Sequence, residues 1–365
     1  MDYKSEMQPK KRKRKKRNSA MIFLLFTTTI FAFILCVFLL FSYTEQKNKT
    51  IQAMAEIETL EETLEETNNT MFNQSQVDNF VEKAKKQFLD TLKSMVENGD
   101  GMLDVLQHFY PDYVIASSSG GYKFFPISET LEKNNFDLDK FTYPVYNEEE
   151  KEWEGTATYM AGTERKAKKG VDVSTFQGDI DWRKVKKSGM EFAMIRIGFR
   201  GYESGKIVLD SKFEDNMKGS IKAGLDTGVY FFTEALNEKE AIEEAEFVIE
   251  NLKDYKINMP VVIDVEESAN TEKTRTKDLT QEQRTKNVIA FCERIKDAGY
   301  DVMIYGNLKS FMIMMNFEEL ESYDKWFAYY RYPFHFPYKI KMWQYTAYEK
   351  VDGIEGKADV NLMFY

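Results

Sequence analysis

The C-terminal half of the sequence predicts an α/β protein built as a closed barrel of mostly parallel strands, an irregular relative of the TIM barrel. From residue 170 onward, strand-like and helix-like segments alternate through five units. After the fifth unit the helical patterns stop, and three more strand-like segments follow. Polar and aromatic side chains concentrate at the strand ends, where such barrels carry their functional groups. A single transmembrane helix, a helical stalk and a small α+β module are predicted to precede the barrel.

Composition narrows the chemistry that the chain can carry. The 365 residues include only two histidines and two cysteines. That is too few for a histidine-based triad, a histidine-rich metal site or a disulfide framework. Cys36 lies in an apolar run and Cys292 in a helical pattern, so both are predicted to be buried and unreactive. No metal or cofactor is expected, and carboxylates remain the main candidates for acid–base chemistry.

The N-terminus combines a basic tail with an apolar run. Residues 10–17 are an unbroken basic octet. Residues 1–19 carry a net charge of +7, which leaves −17 on the rest of a chain whose total is −10. Residues 21–41 contain no charge and, at 1.5 Å per residue, extend roughly 30 Å, about the thickness of bilayer hydrocarbon. A cleaved signal peptide is disfavoured, because the run is too long and no small-x-small site follows it.

These features predict a single-pass membrane protein. Residues 1–20 are expected to form a cytoplasmic tail and residues 21–43 a transmembrane helix, with everything beyond outside the cell, because positive charge precedes the span. The octet alone could indicate a nuclear signal or a nucleic-acid contact. Its position against the span excludes nucleic acid as a partner and leaves a contact with anionic lipid.

Residues 44–100 are predicted to form a polar helical stalk. Phe80, Ala84, Phe88 and Leu92 follow helical spacing, but heptads are not sustained over three repeats. Weak self-association through the stalk is the only oligomeric contact that follows. Residues 101–165 are predicted to be a small α+β module or spacer, with two short strands around a Ser/Gly turn in 113–126. Their sequence contains no set of residues that indicates a catalytic site.

The barrel domain is predicted to span residues 169–365. Its first five strands are expected at 170–174, 192–198, 227–233, 260–266 and 302–307. The helices that alternate with them are expected at 181–188, 212–223, 237–255, 281–298 and 311–322. The three final strands are expected at 325–330, 341–346 and 358–364. Helix ends are marked by glycines, which readily adopt the left-handed conformation of a C-terminal cap: Gly189, Gly224 and Gly299.

The fourth strand ends in two carboxylates. Asp264 and Glu266 follow a buried apolar run, and residues two apart on a strand point to the same side. Alone, they could be a capping aspartate and a solvated glutamate. The first and last strands add Asp172 and Asp359, and converging like charges raise the pKa of one another's carboxyl groups. A carboxyl group with a raised pKa is what a general acid needs near neutral pH. Further candidates at strand ends are Arg196, Tyr230, Tyr305, Tyr329, Gln344 and Tyr345.

Several motifs in this domain resemble glycoside hydrolase family 25, the N-acetylmuramidases or Chalaropsis-type lysozymes. The resemblance runs in order through GVDVSTFQGDIDWRKVKKSG, FAMIRIGFRG, GVYFF, PVVIDVE, MIYGN, WFAYY, WQYT and GIEGKADVNLMF. It covers about residues 170–365 and does not extend to residues 1–165. It implies a (β/α)5(β)3 barrel that cleaves the β-1,4 bond between N-acetylmuramic acid and N-acetylglucosamine in peptidoglycan.

The resemblance also implies roles for individual residues. Glu266 would be the general acid, and Asp264 would orient the substrate's acetamido group or stabilise the transition state. Asp172 and Asp359 would be the other two carboxylates of the cleft. Residues expected to line the sugar site are Tyr230, Tyr305, Trp326, Gln344 and Tyr345. The chain departs from the commoner pattern at 347–350, where AYEK replaces a small-residue turn, and this affects the expected rim of the cleft.

The resulting prediction is a membrane-anchored lysozyme whose catalytic domain faces the cell wall and whose partner is the peptidoglycan glycan strand. Substrate assistance by the acetamido group is favoured over the other displacement mechanisms, which the residues leave open. The alternative is a non-catalytic wall-binding or scaffold protein on the same barrel, because a fold does not fix a function. The presence of Glu266 favours the enzyme.

Overall fold

The computed structural model describes residues 74–118, 120–268 and 273–365. The chain divides into two compact units, residues 1–113 and residues 114–365. None of the helices in these described ranges combines the length and apolar character needed to cross a membrane. The predicted basic tail, the predicted span and most of the predicted stalk lie outside the described residues.

The described part of the first unit is a pair of helices, α1 (Gln74–Glu97) and α2 (Met102–Phe109). Gly99, with a φ of 79°, lies in the turn between them. The helices pack through a small apolar cluster that includes Phe88 and Phe109, whose ring centroids lie 4.7 Å apart. Helix α1 corresponds to the end of the predicted stalk. Phe80, which belongs to the predicted apolar stripe, is instead 55% exposed.

The second unit contains an eight-stranded barrel, which confirms the predicted mixed α/β barrel fold. The barrel strands are β8 (Ala167–Val173), β9 (Phe192–Arg200), β11 (Asp226–Phe232), β12 (Val261–Asp264), β13 (Val302–Asn307), β14 (Asp324–Ala328), β15 (Met342–Glu349) and β16 (Ala358–Phe364). Strands β8 to β15 pair in parallel, whereas β16 is antiparallel to both β15 and β8 and closes the barrel. A short additional strand, β10 (Ile207–Leu209), pairs antiparallel with β9 and was not predicted.

Four of the five predicted helices are present as α3 (Trp182–Lys187), α4 (Phe213–Ala223), α5 (Glu238–Leu252) and α6 (Gln281–Asp297). Asp181, Asn237 and Thr280 cap the N-termini of α3, α5 and α6 through their side chains. The three glycines predicted to follow helix ends all have positive φ, as at the left-handed C-cap Gly224.

The fifth predicted helix, at 311–322, is wrong as a regular helix. The segment forms a π-helical turn, Ser310–Met314, and a 3-10 turn, Glu318–Leu320. Side chains of α6 bind the backbone between the two turns. Gln281 Nε2 donates to the Met315 carbonyl (2.8 Å), and Thr285 Oγ1 accepts from the Asn316 amide (2.8 Å). These tertiary bonds satisfy backbone groups that a continuous helix would pair internally.

Apolar side chains fill the lower part of the barrel interior. Phe192, Met194, Val262, Met303 and Met342 form this layer, with Trp326 above them. Space is tight, because a Cβ atom on Gly170 would lie 2.4 Å from Cγ of Phe192. The filled base leaves the end at which the parallel strands finish as the position for polar side chains.

Residues 114–165 pack against the barrel and are not a spacer. They form a hairpin of β1 (Tyr113–Ser118) and β2 (Gly121–Pro126), as predicted, followed by the short strands β3 (Phe141–Thr142), β4 (Val145–Asn147), β5 (Glu152–Glu154), β6 (Thr158–Ala161) and β7 (Glu164–Arg165). Phe136 contacts Phe364 and Phe141 contacts Trp343, with ring centroids 4.3 and 5.7 Å apart. The segment therefore covers the outer faces of β15 and β16.

Candidate active site

The four predicted carboxylates meet at one end of the barrel. In the strand register Asp172 of β8 is opposite Asp359 of β16, and Asp264 is the last residue of β12. Strand β12 ends two residues earlier than predicted, so Glu266 lies just beyond it. The charges on Asp172 and Glu266 both act on Asp264 and on Asp359, so these two carboxyl groups link all four into one electrostatic cluster.

Asp172 lies at the centre of a buried hydrogen-bond network. Its Oδ2 atom accepts from Gln344 Nε2 (2.8 Å) and from Asn361 Nδ2 (2.7 Å). Asn361 Oδ1 accepts from Trp326 Nε1 (2.7 Å), and Gln344 Oε1 accepts from Tyr305 Oη (2.7 Å). Burial raises the pKa of Asp172 to about 6, although these amide donors stabilise the charged form and oppose the rise.

Glu266 and Asp264 differ in their surroundings. Burial, followed by the charge on Asp172, raises the pKa of Glu266 to about 7, while the neighbouring Tyr305 hydroxyl group opposes the rise. Burial and the charges on Glu266 and Asp172 raise the pKa of Asp264 well above its usual range, against the effect of Arg196. Within the described residues, Asp264 Oδ1 is buried without a hydrogen-bond partner. Such an oxygen is free to accept a hydrogen bond from a substrate.

Asp359 completes the group. Burial, then the charges on Asp172 and Glu266, raises its pKa to about 8. Near neutral pH the four groups cannot all be ionised, because like charges in a desolvated site repel one another. The rim therefore holds protonated and ionised carboxyl groups side by side, the combination that acid-catalysed hydrolysis requires. The described residues contain no set of three or more His, Cys, Asp or Glu arranged to hold a metal ion.

Arg196 lies on the rim but is engaged by protein groups. Its Nη2 atom is 2.7 Å from Asp210 Oδ2, and its guanidinium carbon is 4.9 Å from the centre of the Phe176 ring. Asp210 also accepts a hydrogen bond from the Thr175 amide (3.1 Å). Arg196 thus holds the turn that follows β8, and its charge partly opposes the rise in the pKa of Asp264.

The aromatic candidates divide into two groups. Tyr230, Tyr305 and Trp326 face the barrel interior, where the Trp326 ring centroid lies 6.0 Å from that of Tyr230 and 4.6 Å from that of Tyr305. Tyr345 faces outward, because Gln344 beside it faces inward and strand side chains alternate. Its hydroxyl group lies 2.7 Å from Thr156 Oγ1. Tyr329 also packs in the outer core, against Phe327 and Phe334. The structure therefore does not bring Tyr345 or Tyr329 together with the carboxylates.

Three residues of the site were not identified from the sequence. Asn361 binds Asp172, Tyr330 donates through its hydroxyl group to Gln344 Oε1, and Asp210 binds Arg196. Asn361 could have been found, because it lies two residues after Asp359 on the same strand and so on the same face. Tyr330 and Asp210 lie outside the regular barrel strands, and no periodic signal identifies them.

A buried glutamate secures the loop that follows Glu266. Glu234, just beyond β11, accepts hydrogen bonds from the hydroxyl groups of Ser268, Thr274 (2.9 Å) and Thr276 (2.6 Å). On the strand side, the Val265 amide donates to the Tyr305 carbonyl (3.0 Å). Glu266 is therefore held between a barrel strand and a loop fixed by Glu234.

Comparisons with known proteins agree with this architecture. The sequence model of glycosyl hydrolases family 25 matches residues 171–354. The autolytic lysozyme of Clostridium acetobutylicum is 26% identical over 194 residues, which cover 53% of this chain and 55% of that protein. Lysozyme M1 of Streptomyces globisporus is 31% identical over 100 residues, covering 27% of this chain and 32% of that protein. The chain thus matches only part of the length of these relatives.

A solved structure supports the fold. The modular autolysin LytC of Streptococcus pneumoniae, solved in complex with a synthetic peptidoglycan ligand, superposes with a TM-score of 0.50 at 23% sequence identity. The superposition covers 70% of this chain and 61% of LytC. At this identity the likeness concerns the fold alone.

Proposed function

Because the chain belongs to glycosyl hydrolases family 25, we propose that it is an N-acetylmuramidase, a lysozyme that hydrolyses the β-1,4 bond between N-acetylmuramic acid and N-acetylglucosamine in peptidoglycan. The observation that carries the proposal is Glu266, a carboxyl group with a pKa raised to about 7 beside three other carboxyl groups on the barrel rim. A group with that pKa is protonated in a large fraction of molecules at neutral pH.

In the proposed reaction, Glu266 donates its proton to the glycosidic oxygen as the bond from that oxygen to the anomeric carbon breaks. The acetamido oxygen of the same sugar attacks the anomeric carbon, and Asp264 accepts a hydrogen bond from the acetamido N–H. Water then opens the cyclic intermediate and gives up a proton to the Glu266 carboxylate, which restores the acid. The net change is the addition of one water molecule across the bond.

The remaining rim groups position the sugar. Gln344 and Asn361 hold the Asp172 carboxylate in place through hydrogen bonds, and the charge of Asp172 raises the pKa of Glu266. Tyr230, Tyr305 and Trp326 would form the floor of the sugar site, since they face the interior just below the carboxylates. Tyr345 and Tyr329, which face the outer core, would act through packing.

The substitution Glu266→Gln tests the proposal. Glutamine keeps the size of the side chain but cannot donate an acid proton, so hydrolysis of purified peptidoglycan should fall by about 10²–10⁴-fold. Mass spectrometry of the wild-type digest should show reducing-end muramic acid. The matched control is Glu267→Gln, which removes an exposed carboxylate that pairs with Lys309 and should keep wild-type activity.

Two outcomes would contradict the proposal. If Glu266→Gln keeps activity within tenfold of the wild type, Glu266 is not the acid. If the wild-type protein binds peptidoglycan but releases no product, the alternative of a non-catalytic wall-binding or scaffold protein is correct.

The cellular location is part of the same proposal. Residues 1–20 would lie in the cytoplasm, residues 21–43 would cross the membrane, and the barrel would face the cell wall. The support is the charge distribution around the apolar run, basic before it and acidic beyond it. A protease added outside intact cells should remove the barrel domain, and full protection of that domain would contradict the orientation.

A further inference from the structure

Two aromatic side chains lie on the hairpin of β4 and β5, outside the residues matched by the family, and a third lies on the loop after β14. Tyr146 and Trp153 are directly opposite each other in the strand register, and their ring centroids are 5.4 Å apart. The Trp153 ring also contacts the ring of Tyr332, and their centroids are 5.6 Å apart. Tyr146 and Trp153 each remain 39% exposed. We call Tyr146, Trp153 and Tyr332 the hairpin platform.

The hairpin platform is fixed beside the rim of the barrel. Glu152 pairs with Lys350 (2.9 Å), and Thr156 Oγ1 lies 3.2 Å from Glu349 Oε2. Both partners belong to the AYEK segment, where the chain departs from the commoner family pattern. That segment therefore serves as the attachment point of the hairpin.

Tyr332 connects the platform to the active site. Its hydroxyl group donates to the Tyr345 carbonyl (2.6 Å), which holds the ring against the middle of β15. Tyr330, two residues earlier, donates to Gln344 Oε1, and Gln344 in turn binds Asp172. The loop after β14 thus reaches from the carboxylate network to the aromatic row.

Stabilisation of the hairpin does not fully explain the row. A cross-strand aromatic pair contributes only modestly to the stability of an antiparallel pair of strands. The same contact can form with the rings covered, yet here both rings remain partly exposed.

The chemistry of the surface matches a sugar chain. Pyranose rings present apolar C–H faces that pack on aromatic rings, while their hydroxyl groups stay in water. The chain beyond the basic tail carries a charge of −17, so it does not attract anionic wall polymers by charge, and binding must come from such contacts.

Given the proposed lysozyme activity, we propose that the hairpin platform is an accessory glycan subsite that holds sugars of the same strand beyond those next to the scissile bond. It distinguishes long strands from short fragments, which end before they reach the hairpin. The occupant is a chain of β-1,4-linked 2-acetamido sugars.

The test measures kcat/KM on long glycan strands and on a four-sugar fragment, using the full-length chain. Trp153→Ala should lower the ratio of the two values about tenfold, the effect of losing one aromatic contact of roughly 1.4 kcal/mol. Tyr146→Ala should lower the same ratio by a smaller factor. Tyr122→Ala, which removes a similarly exposed tyrosine from the other hairpin, serves as the matched control and should leave it unchanged.

Each outcome decides the proposal. An unchanged ratio in both Trp153→Ala and Tyr146→Ala overturns the subsite while leaving the lysozyme intact, provided that Glu266→Gln is inactive. If Trp153→Ala does not fold, Tyr146→Ala and Trp153→Tyr supply the measurement. Concentration-dependent association of the wild-type chain that Trp153→Ala abolishes, with no change in the ratio, would assign the surface to a second copy instead.

Discussion

At the scale of single residues, burial controls the four carboxyl groups on the rim. It is the largest cause of the raised pKa of Asp172, Asp264, Glu266 and Asp359. The burial that raises these pKa values keeps an acid protonated near neutral pH, but it also makes the ionised carboxylates unfavourable in the folded protein. The site therefore carries a cost in stability at the pH where the carboxyl groups would otherwise be charged.

The sign of that cost follows from linkage. A carboxyl group whose pKa is raised on folding stabilises the protein fully below its unfolded pKa, and this contribution is lost as the pH rises through the folded value. For Glu266 the window runs from about 4.5 to about 7, and for Asp359 from about 3.8 to about 8.

The substitution Glu266→Gln should therefore stabilise the protein at alkaline pH. It removes a buried charge, so at pH 8 the Tm should exceed that of the wild type by about 3 °C or more, the shift that roughly 1 kcal/mol produces in a domain of this size. The difference should shrink towards pH 4, and activity should fall. Thermal melts across pH measure it, with Asp215→Asn on an exposed helix position as control. A variant less stable than the wild type at pH 8 would contradict the argument.

At the scale of elements, the position of Glu266 depends on the loop after β12 rather than on the strand. The strand ends at Asp264. Beyond it, the Glu234 carboxylate accepts hydrogen bonds from three hydroxyl groups of the loop. A buried carboxylate with three hydrogen bonds is a rigid anchor, because releasing any partner leaves a buried polar group unsatisfied.

Replacing Glu234 with alanine should lower kcat more than it changes KM. The loop loses its anchor, and a small displacement of the acid reduces the rate by about tenfold or more. Asp226→Asn is the control: Asp226 lies at the opposite end of β11, where it binds Lys168 and Asn258 instead of the loop, so this variant should lose stability and keep kcat. Glu234→Gln should recover part of the rate. Equal losses of kcat in both control and Glu234→Ala would assign Glu234 a purely structural role.

At the scale of the whole second unit, residues 114–165 replace the helices that the last strands lack. No helix occurs between β14 and the C-terminus in residues 324–365 of the described chain. The outer faces of β15 and β16 still carry Trp343, Tyr345 and Phe364, which need cover. Phe136, Phe141 and Tyr159 cover Trp343 and Phe364, and Thr156 contacts Tyr345.

A chain that begins at residue 166 should therefore fold poorly. Each large aromatic side chain exposed by the truncation forfeits about 1.5–3 kcal/mol, and three or more of them together approach the 5–15 kcal/mol stability of a typical domain. Expression and thermal unfolding should show an insoluble or non-cooperative product, whereas a chain that begins at residue 113, and so keeps all of β1, should be soluble and unfold cooperatively. A soluble 166–365 chain with an unchanged Tm would show that the segment is dispensable.

The sequence by itself determined the barrel and its rim. Buried strands leave strong periodic signals, and Asp172, Asp264 and Asp359 end or interrupt such runs, so local pattern was enough to place them together. Because the side chains of a strand alternate, the sequence alone could also have predicted that Gln344 and Tyr345 point to opposite faces of their strand. The family resemblance implied that both line the sugar site, and the strand geometry does not allow it.

Only the tertiary structure decided which groups surround those carboxylates and what residues 114–165 do. Thr156 meets Tyr345 across 189 residues, and the turn after β8 is fixed by Asp210 from another strand connection. The irregular turns at Ser310–Met314 and Glu318–Leu320 likewise arise from side chains of α6. Such contacts leave no periodic trace, because they depend on the three-dimensional path of the chain and not on the spacing of neighbouring residues.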